Sequence, residues 1–320
     1  MSVFKILVGL EIDIVCPQFL GLFVGLFIFT SLCIELGSEK SVSFLISGGE
    51  FVSLGEYPAM VTIRVRTIGH YCGASIIEPQ HVLTVAHCLY TMEKTLANIA
   101  DYELLAGTTH QNLTNPDVIQ RLQIYACIIH PEFNYEVEQN DIAVIRLRKP
   151  IRETFTVAPV RIALETPPDG TRCYYYGWGR TTNSNVAIAS PVLLKVEVKI
   201  YSISLCRYKY VYPETQICAG RIEGGKGSCM GDSGGPLLCN NVLSGLISMG
   251  YGCGLKHVPQ LSTNVATYAD WIDRAIAWNG SRAAGQNILL NLSNGKRSQM
   301  VLNFCSIFLI TLLWDRLVKC

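Results

Sequence analysis

Three short segments carry residue types that together can break an amide bond. Leu83-Thr-Val-Ala-His-Cys88 ends an apolar run on His87, and Asn140-Asp-Ile-Ala-Val144 begins another on Asp141. Cys229-Met-Gly-Asp-Ser-Gly-Gly-Pro236 sets Ser233 among glycines. A serine hydroxyl is a poor nucleophile until a base takes its proton, and histidine titrates in the range that suits this role. A buried carboxylate fixes the imidazole tautomer and stabilises the imidazolium that forms. Glycines let backbone N–H groups close on a developing oxyanion. Each residue alone has a plainer reading: a structural histidine, a capping aspartate, a Gly-Ser-Gly turn. The conjunction of the three is far more specific than any one of them.

The elements that must bring these residues together read as strands. Between Ile46 and Ala266 the apolar residues recur with period two. Val61-Thr-Ile-Arg-Val-Arg66 and Val196-Glu-Val-Lys-Ile200 alternate, as half-buried antiparallel strands do. Asp141–Leu147 is more continuously apolar, as a more buried strand would be. Gly and Pro punctuate the runs at Pro79, Pro131, Pro150, Pro167-Pro168, Gly177, Gly179 and Gly224-Gly225. Tyr268–Trp278 alone has a helical stripe, made of Trp271, Ile272, Ala275 and Ile276. The pattern predicts an all-β sandwich or barrel with one C-terminal helix.

Composition limits the setting. The 320 residues carry 26 Lys+Arg against 25 Asp+Glu, a net charge of +1 that gives no electrostatic case for a nucleic-acid partner. With 49% hydrophobic residues the chain is not disordered. Thirteen cysteines point to an oxidising compartment, and the odd number leaves at least one without an intrachain partner.

Much of the apolar excess is terminal, which divides the chain into residues 1–45, 46–278 and 279–320. Ile14–Ile34 carries no charge, and Phe19–Phe29 suits the apolar region of a secretory signal peptide. Its upstream flank has only Lys5, followed by Glu11 and Asp13, and an uncleaved anchor is the alternative. Met300–Trp314 is short for a spanning helix and closer to the tail of a GPI signal, but Asp315, Arg316 and Lys319 follow it. Membrane attachment there and an extension with no anchoring role both fit. Asn112, Asn279 and Asn291 begin glycosylation sequons, which agree with export.

The chain resembles the trypsin/chymotrypsin-like serine proteases over Ile46–Trp278. The matching segments are Ile46-Ser-Gly-Gly, Cys72-Gly-Ala-Ser, Thr84-Val-Ala-His-Cys88, Asp141-Ile-Ala-Val, Gly177-Trp-Gly, Ile217-Cys-Ala-Gly, Gly231-Asp-Ser-Gly-Gly-Pro and Trp271-Ile. The resemblance implies two six-stranded antiparallel β-barrels with the site in the cleft between them. It implies His87 as base, Asp141 as its orienter, Ser233 as nucleophile, and the N–H groups of Gly231 and Ser233 as the oxyanion hole. Ser248 would support Asp141. It implies the bridges Cys72–Cys88, Cys173–Cys239, Cys206–Cys218 and Cys229–Cys253, leaving Cys16, Cys33, Cys127, Cys305 and Cys320. Cys127 lies in an apolar run and reads as buried. The implied activity is peptide-bond hydrolysis on polypeptide substrates, open to protein protease inhibitors, with no cofactor.

Two departures bear on what the resemblance implies. In the family, cleavage frees an amine that pairs with the aspartate before the nucleophile, here Asp232. Ile46 stands in place, but Ser47 replaces valine and Phe44-Leu45 precedes the cut where Arg or Lys is usual. The pocket floor, an aspartate in trypsins, falls on Gly227 beside Ser228, so a Lys or Arg would be buried without a partner. Gly250 leaves the entrance open, Gln260 replaces a glycine that keeps the pocket deep, and Met249 replaces a wall tryptophan. These changes predict an apolar residue before the scissile bond (P1). The loop after Gly107 lacks the acidic pair of calcium-binding relatives, so no metal site is expected. A latent or catalytically silent homologue acting by protein binding is the competing reading.

Overall fold

Short apolar runs separated by turn residues pair antiparallel throughout the computed structural model, which describes residues 49–111, 117–181, 189–280 and 287–290. Ile46, Asn112, Asn291, the leader and the apolar tail lie outside the described residues. The strands are β1 Glu50–Phe51, β2 Met60–Val65, β3 Gly69–Glu78, β4 His81–Thr84, β5 Tyr102–Ala106, β6 Gln120–Leu122, β7 Ile124–Ile129 and β8 Ala143–Leu147. They continue as β9 Arg172–Gly177, β10 Leu194–Tyr201, β11 Gln216–Gly220, β12 Pro236–Cys239, β13 Val242–Met249 and β14 Gln260–Asn264. Helix α1, Ala269–Ile276, and strand β15, Asn287–Leu290, follow.

The second set closes on itself. β10, β11, β14, β13, β12 and β9 form a six-stranded barrel in that order, sealed by β9 against β10, with β1 added to β10. The first set runs β15-β7-β8-β4-β3-β2-β5-β6, a six-stranded half-barrel carrying β6 and β15 on its edges. The all-β expectation and the two-barrel plan hold, with the first barrel open.

Burial follows the alternation on β10, where Leu194, Val196, Val198 and Ile200 are buried and Lys199 is exposed. It fails on β2, where Thr62 is buried with its apolar neighbours. Its hydroxyl lies 2.8 Å from His70 Nδ1, so a polar side chain enters the core with its partner. α1 buries Trp271, Ile272 and Ala275 against the first half, and Arg146 donates to the Trp278 carbonyl at 2.5 Å. A 3-10 turn, Val265–Tyr268, takes up the start of the expected helix.

All four bridges implied by the resemblance are present. Cys127 is a free, fully buried thiol, and burial pushes its pKa up. Among the described residues no helix is long and apolar enough to cross a membrane.

Leu104 on β5 has no exposed surface. Leu104→Ala should lower the unfolding free energy by about 2–5 kcal/mol, read as a shifted denaturant midpoint at unchanged slope.

Candidate active site

β4 delivers the chain into a 3-10 turn, Ala86–Leu89, that carries His87. The Cys72–Cys88 bridge ties this turn back to β3. Asp141 stands just before β8, the strand paired with β4, so neighbouring strands bring the two side chains together. The His87 backbone N–H donates to Asp141 Oδ1 at 2.9 Å, and Nδ1 meets Oδ2 at 2.8 Å. A carboxylate can only accept, so Nδ1 holds the proton and Nε2 is left as the basic nitrogen.

Asp141 is 2% exposed, which would be costly for an unpartnered charge. It is not unpartnered, because Ser248 Oγ on β13 also donates to Oδ2 at 2.7 Å. Thr263 Oγ1 on β14 donates to the Asp141 backbone carbonyl at 2.8 Å. Both strands belong to the second barrel, so each half of the molecule holds one side of this acid. Burial alone would push the His87 pKa down, but the charge and hydrogen bond of Asp141 outweigh it, and the net shift is upward.

Ser233 lies on the loop before β12, partly exposed. The Gly73 N–H on β3 donates to the Ser233 carbonyl at 2.8 Å, and Thr84 Oγ1 donates to the Gly73 carbonyl at 2.9 Å. A chain of hydrogen bonds therefore joins the end of the histidine strand to the serine loop. Gly234 follows at φ +75°, and a Cβ there would meet Thr84 Oγ1 at 2.2 Å. His70 Nε2 donates to the Gly231 carbonyl at 2.9 Å. Burial lowers the His70 pKa to about 4, so its ring is neutral and Nδ1 accepts from Thr62.

Asp232 turns the other way. It is 1% exposed, and its carboxylate accepts from the N–H groups of Gly179 and Cys229, both at 2.7 Å. Burial still pushes its pKa up to about 7 against those two bonds. No cation faces it among the described residues.

The pocket residues also converge. Gln260 is 6% exposed, and its amide spans the space between two chain segments. Oε1 accepts from the backbone N–H and the hydroxyl of Ser228, at 2.9 and 2.7 Å. Nε2 donates to the carbonyls of Ser228 and Gly252, at 2.9 and 3.3 Å. A Cβ on Gly250 would lie 2.5 Å from Nε2, so the amide reaches the entrance wall, and a Cβ on Gly227 would lie 3.3 Å from Oε1. Met249 packs against Cys206, Tyr208, Cys218 and Leu261. Tyr251 stacks on Tyr208, with centroids 4.5 Å apart and planes 9° from parallel.

A family profile described as Trypsin matches residues 46–272. The chain belongs to the trypsin family of serine proteases. It is 35% identical to a trypsin of Sus scrofa over 236 residues, covering 73% of this chain and 96% of the relative. It is 36% identical to an anionic trypsin of Canis lupus familiaris, over 73% of this chain and 90% of the relative. It is also similar, at 33% identity, to beta-fibrinogenase mucrofibrase-5 of Protobothrops mucrosquamatus, over 78% of this chain and 93% of the relative. Membership of this family makes the protein a serine endopeptidase, a hydrolase of polypeptides.

Within this family fold the structure groups His87, Asp141 and Ser248, links the Ser233 loop through Gly73 to Thr84 at the end of β4, and gathers Gly227, Ser228, Gly250 and Gln260. Asn279 is exposed. One residue of the cleft was missed in the sequence. Glu138 lies beside His87 and Asp141, yet in sequence it is one polar residue of the run Glu136–Asn140. Its only available signal was an acid three places before Asp141.

A Cβ on Gly179 would sit 2.5 Å from the Asp232 carboxylate carbon. Gly179→Ala should displace that carboxylate and lower hydrolytic activity at least about tenfold, with a lower Tm, measured by peptide turnover and thermal unfolding.

Proposed function

We propose that this protein cleaves peptide bonds through an acyl-enzyme formed on Ser233. Ser233 Oγ attacks the substrate carbonyl carbon as its proton passes to His87 Nε2. The carbonyl oxygen takes the charge and is met by the N–H groups of Gly231 and Ser233. His87 then gives the proton to the leaving amine, and water repeats the sequence to release the acid. The observation that carries this reading is the His87–Asp141–Ser248 hydrogen-bond chain, which leaves Nε2 as the basic nitrogen.

The pocket supports an apolar P1 residue. Gln260 occupies the depth a long side chain would need, and its amide already has partners at both ends. An arriving Lys or Arg would find no carboxylate there. A small apolar side chain fits best, since it asks for neither depth nor charge. Asp232, buried with two N–H donors, supports activation by an amine freed on Ile46. Four disulfides support a secreted protein working in oxidising surroundings. Protein inhibitors would enter the same cleft as substrate.

The competing reading, a latent homologue acting by binding, draws on the same Gln260 amide and on Phe44-Leu45 before Ile46. Reactivity of the serine separates the two. A fluorophosphonate probe should label the form beginning at Ile46, and Ser233→Ala should abolish labelling and cut kcat roughly 10^6-fold. Absence of labelling in that form would favour the binding reading.

His87 must be neutral to accept a proton, and its pKa stands above the ordinary 6.5. The acid limb of kcat/KM should therefore be centred above pH 6.5, and a rate flat from pH 5 to 8 would contradict the mechanism. Gln260→Gly should raise kcat/KM for a P1 Phe over a P1 Ala peptide by about 10–200-fold, read from paired substrates.

A further inference from the structure

The proposed hydrolytic steps use one acid beside His87, and the cleft holds two. One oxygen or nitrogen atom from each of His87, Glu138 and Asp141 lies within 4.8 Å of the others. The Glu138 Oε2 atom is buried and has no hydrogen-bond partner among the described residues. A hydrogen bond is therefore not what this oxygen contributes. Charge acts over several ångströms without contact, and a buried charge is screened less than an exposed one.

Two groups lie within reach of that charge. His87 faces Glu138 from the turn Ala86–Leu89, and Asp141 faces it from the approach to β8. Glu136, two residues earlier, is paired with Lys94 at 2.7 Å, so that lysine is engaged elsewhere. The Glu138 backbone sits at φ +48°, in the left-handed region that a residue with a Cβ seldom adopts. Such a conformation persists where the surrounding structure fixes it, and here it sets a carboxyl group beside the imidazole.

We infer that Glu138 is a positioning residue, a second carboxylate whose charge stabilises the His87 imidazolium formed as Ser233 attacks. In that step the Ser233 Oγ–H bond breaks, Nε2 gains the proton, and the Oγ electron pair bonds to the substrate carbonyl carbon. Nδ1 keeps its proton on Asp141, so the ring passes from neutral to positive. Glu138 exchanges no proton and binds no substrate. It lowers the free energy of the charged ring alone, so its effect falls on kcat rather than on KM. This inference rests on His87 and Ser233 acting as base and nucleophile.

Titration gives this role a signature that packing lacks. Burial pushes the Glu138 pKa up to about 7, while His87 draws it down and Asp141 adds to the rise. Glu138 in turn adds to the upward shift of His87. The two groups titrate over one range, so the acid limb is broader than the curve of a single group. Above about pH 7 Glu138 is ionised and supports the imidazolium; below it Glu138 is neutral and the support is lost.

The experiment measures kcat and KM of the full chain, activated at Ile46, from pH 5.5 to 9 on an uncharged peptide with P1 Ala. Glu138→Gln should lower kcat about three- to tenfold at pH 9, leave KM unchanged, and match the unaltered protein at pH 6. Its acid limb should narrow to that of one group, with the midpoint about half to one pH unit lower. Fluorophosphonate labelling and Tm check that the variant is folded. If it does not fold, NMR titration of the His87 ring in the unaltered protein decides: a curve broader than one group supports the inference, and a one-group curve overturns it. A profile unchanged in folded Glu138→Gln overturns it and spares the protease reading. So does a loss equal at every pH, which marks a structural role. No labelling and no turnover in the unaltered protein removes the protease reading, and this inference with it.

Discussion

One backbone hydrogen bond, from the Gly73 N–H to the Ser233 carbonyl, joins the two halves of the molecule where their chemistry must meet. The histidine strand and the serine loop belong to different sheets, and the geometry between the proposed base and nucleophile would tolerate errors of only about half an ångström. Backbone atoms are the least adjustable groups available for setting such a distance. Thr84 extends the link by donating to the same Gly73 peptide, so the strand that delivers His87 is registered against the loop that delivers Ser233. The contact is tight enough that a Cβ on Gly73 would lie 2.7 Å from the Gly235 Cα. The glycines on both sides of this seam are there because two main chains touch.

Three acids in or near the cleft show how environment divides one functional group into separate roles. Asp141 is surrounded by donors from the His87 turn and from β13, which suits a carboxylate that orients an imidazole. Asp232 has two backbone donors and no cation among the described residues. Glu138 has a buried oxygen with no donor among the described residues.

What could be read in the sequence follows the range of the physics involved. Period-two alternation is local, and β10 obeys it residue by residue. Thr62 breaks it because its partner His70 comes from the adjacent strand β3, which no window along β2 contains. His87, Asp141 and Ser233 were legible because each sits in a distinctive run of neighbours. Gln260 was legible as a replacement for glycine, but the reach of its amide from Ser228 to Gly252 depends on how β14 lies beside β11, where Gln260 pairs with Ala219. Glu138 was passed over because a polar loop conceals a buried oxygen. β15 was missed because the segment after Trp278 was read as an extension, whereas Asn287–Leu290 adds a strand to the first half.

That last strand reaches beyond packing. β7 is apolar along most of its length, and β15 lies antiparallel along its outer side, with Ile288 opposite Ile128. Without it, the outer row of β7 amides and carbonyls would stand open as a template for another chain to add to. The segment past Trp278 thus guards colloidal behaviour as much as shape. A chain shortened there would first betray itself by association in concentrated solution.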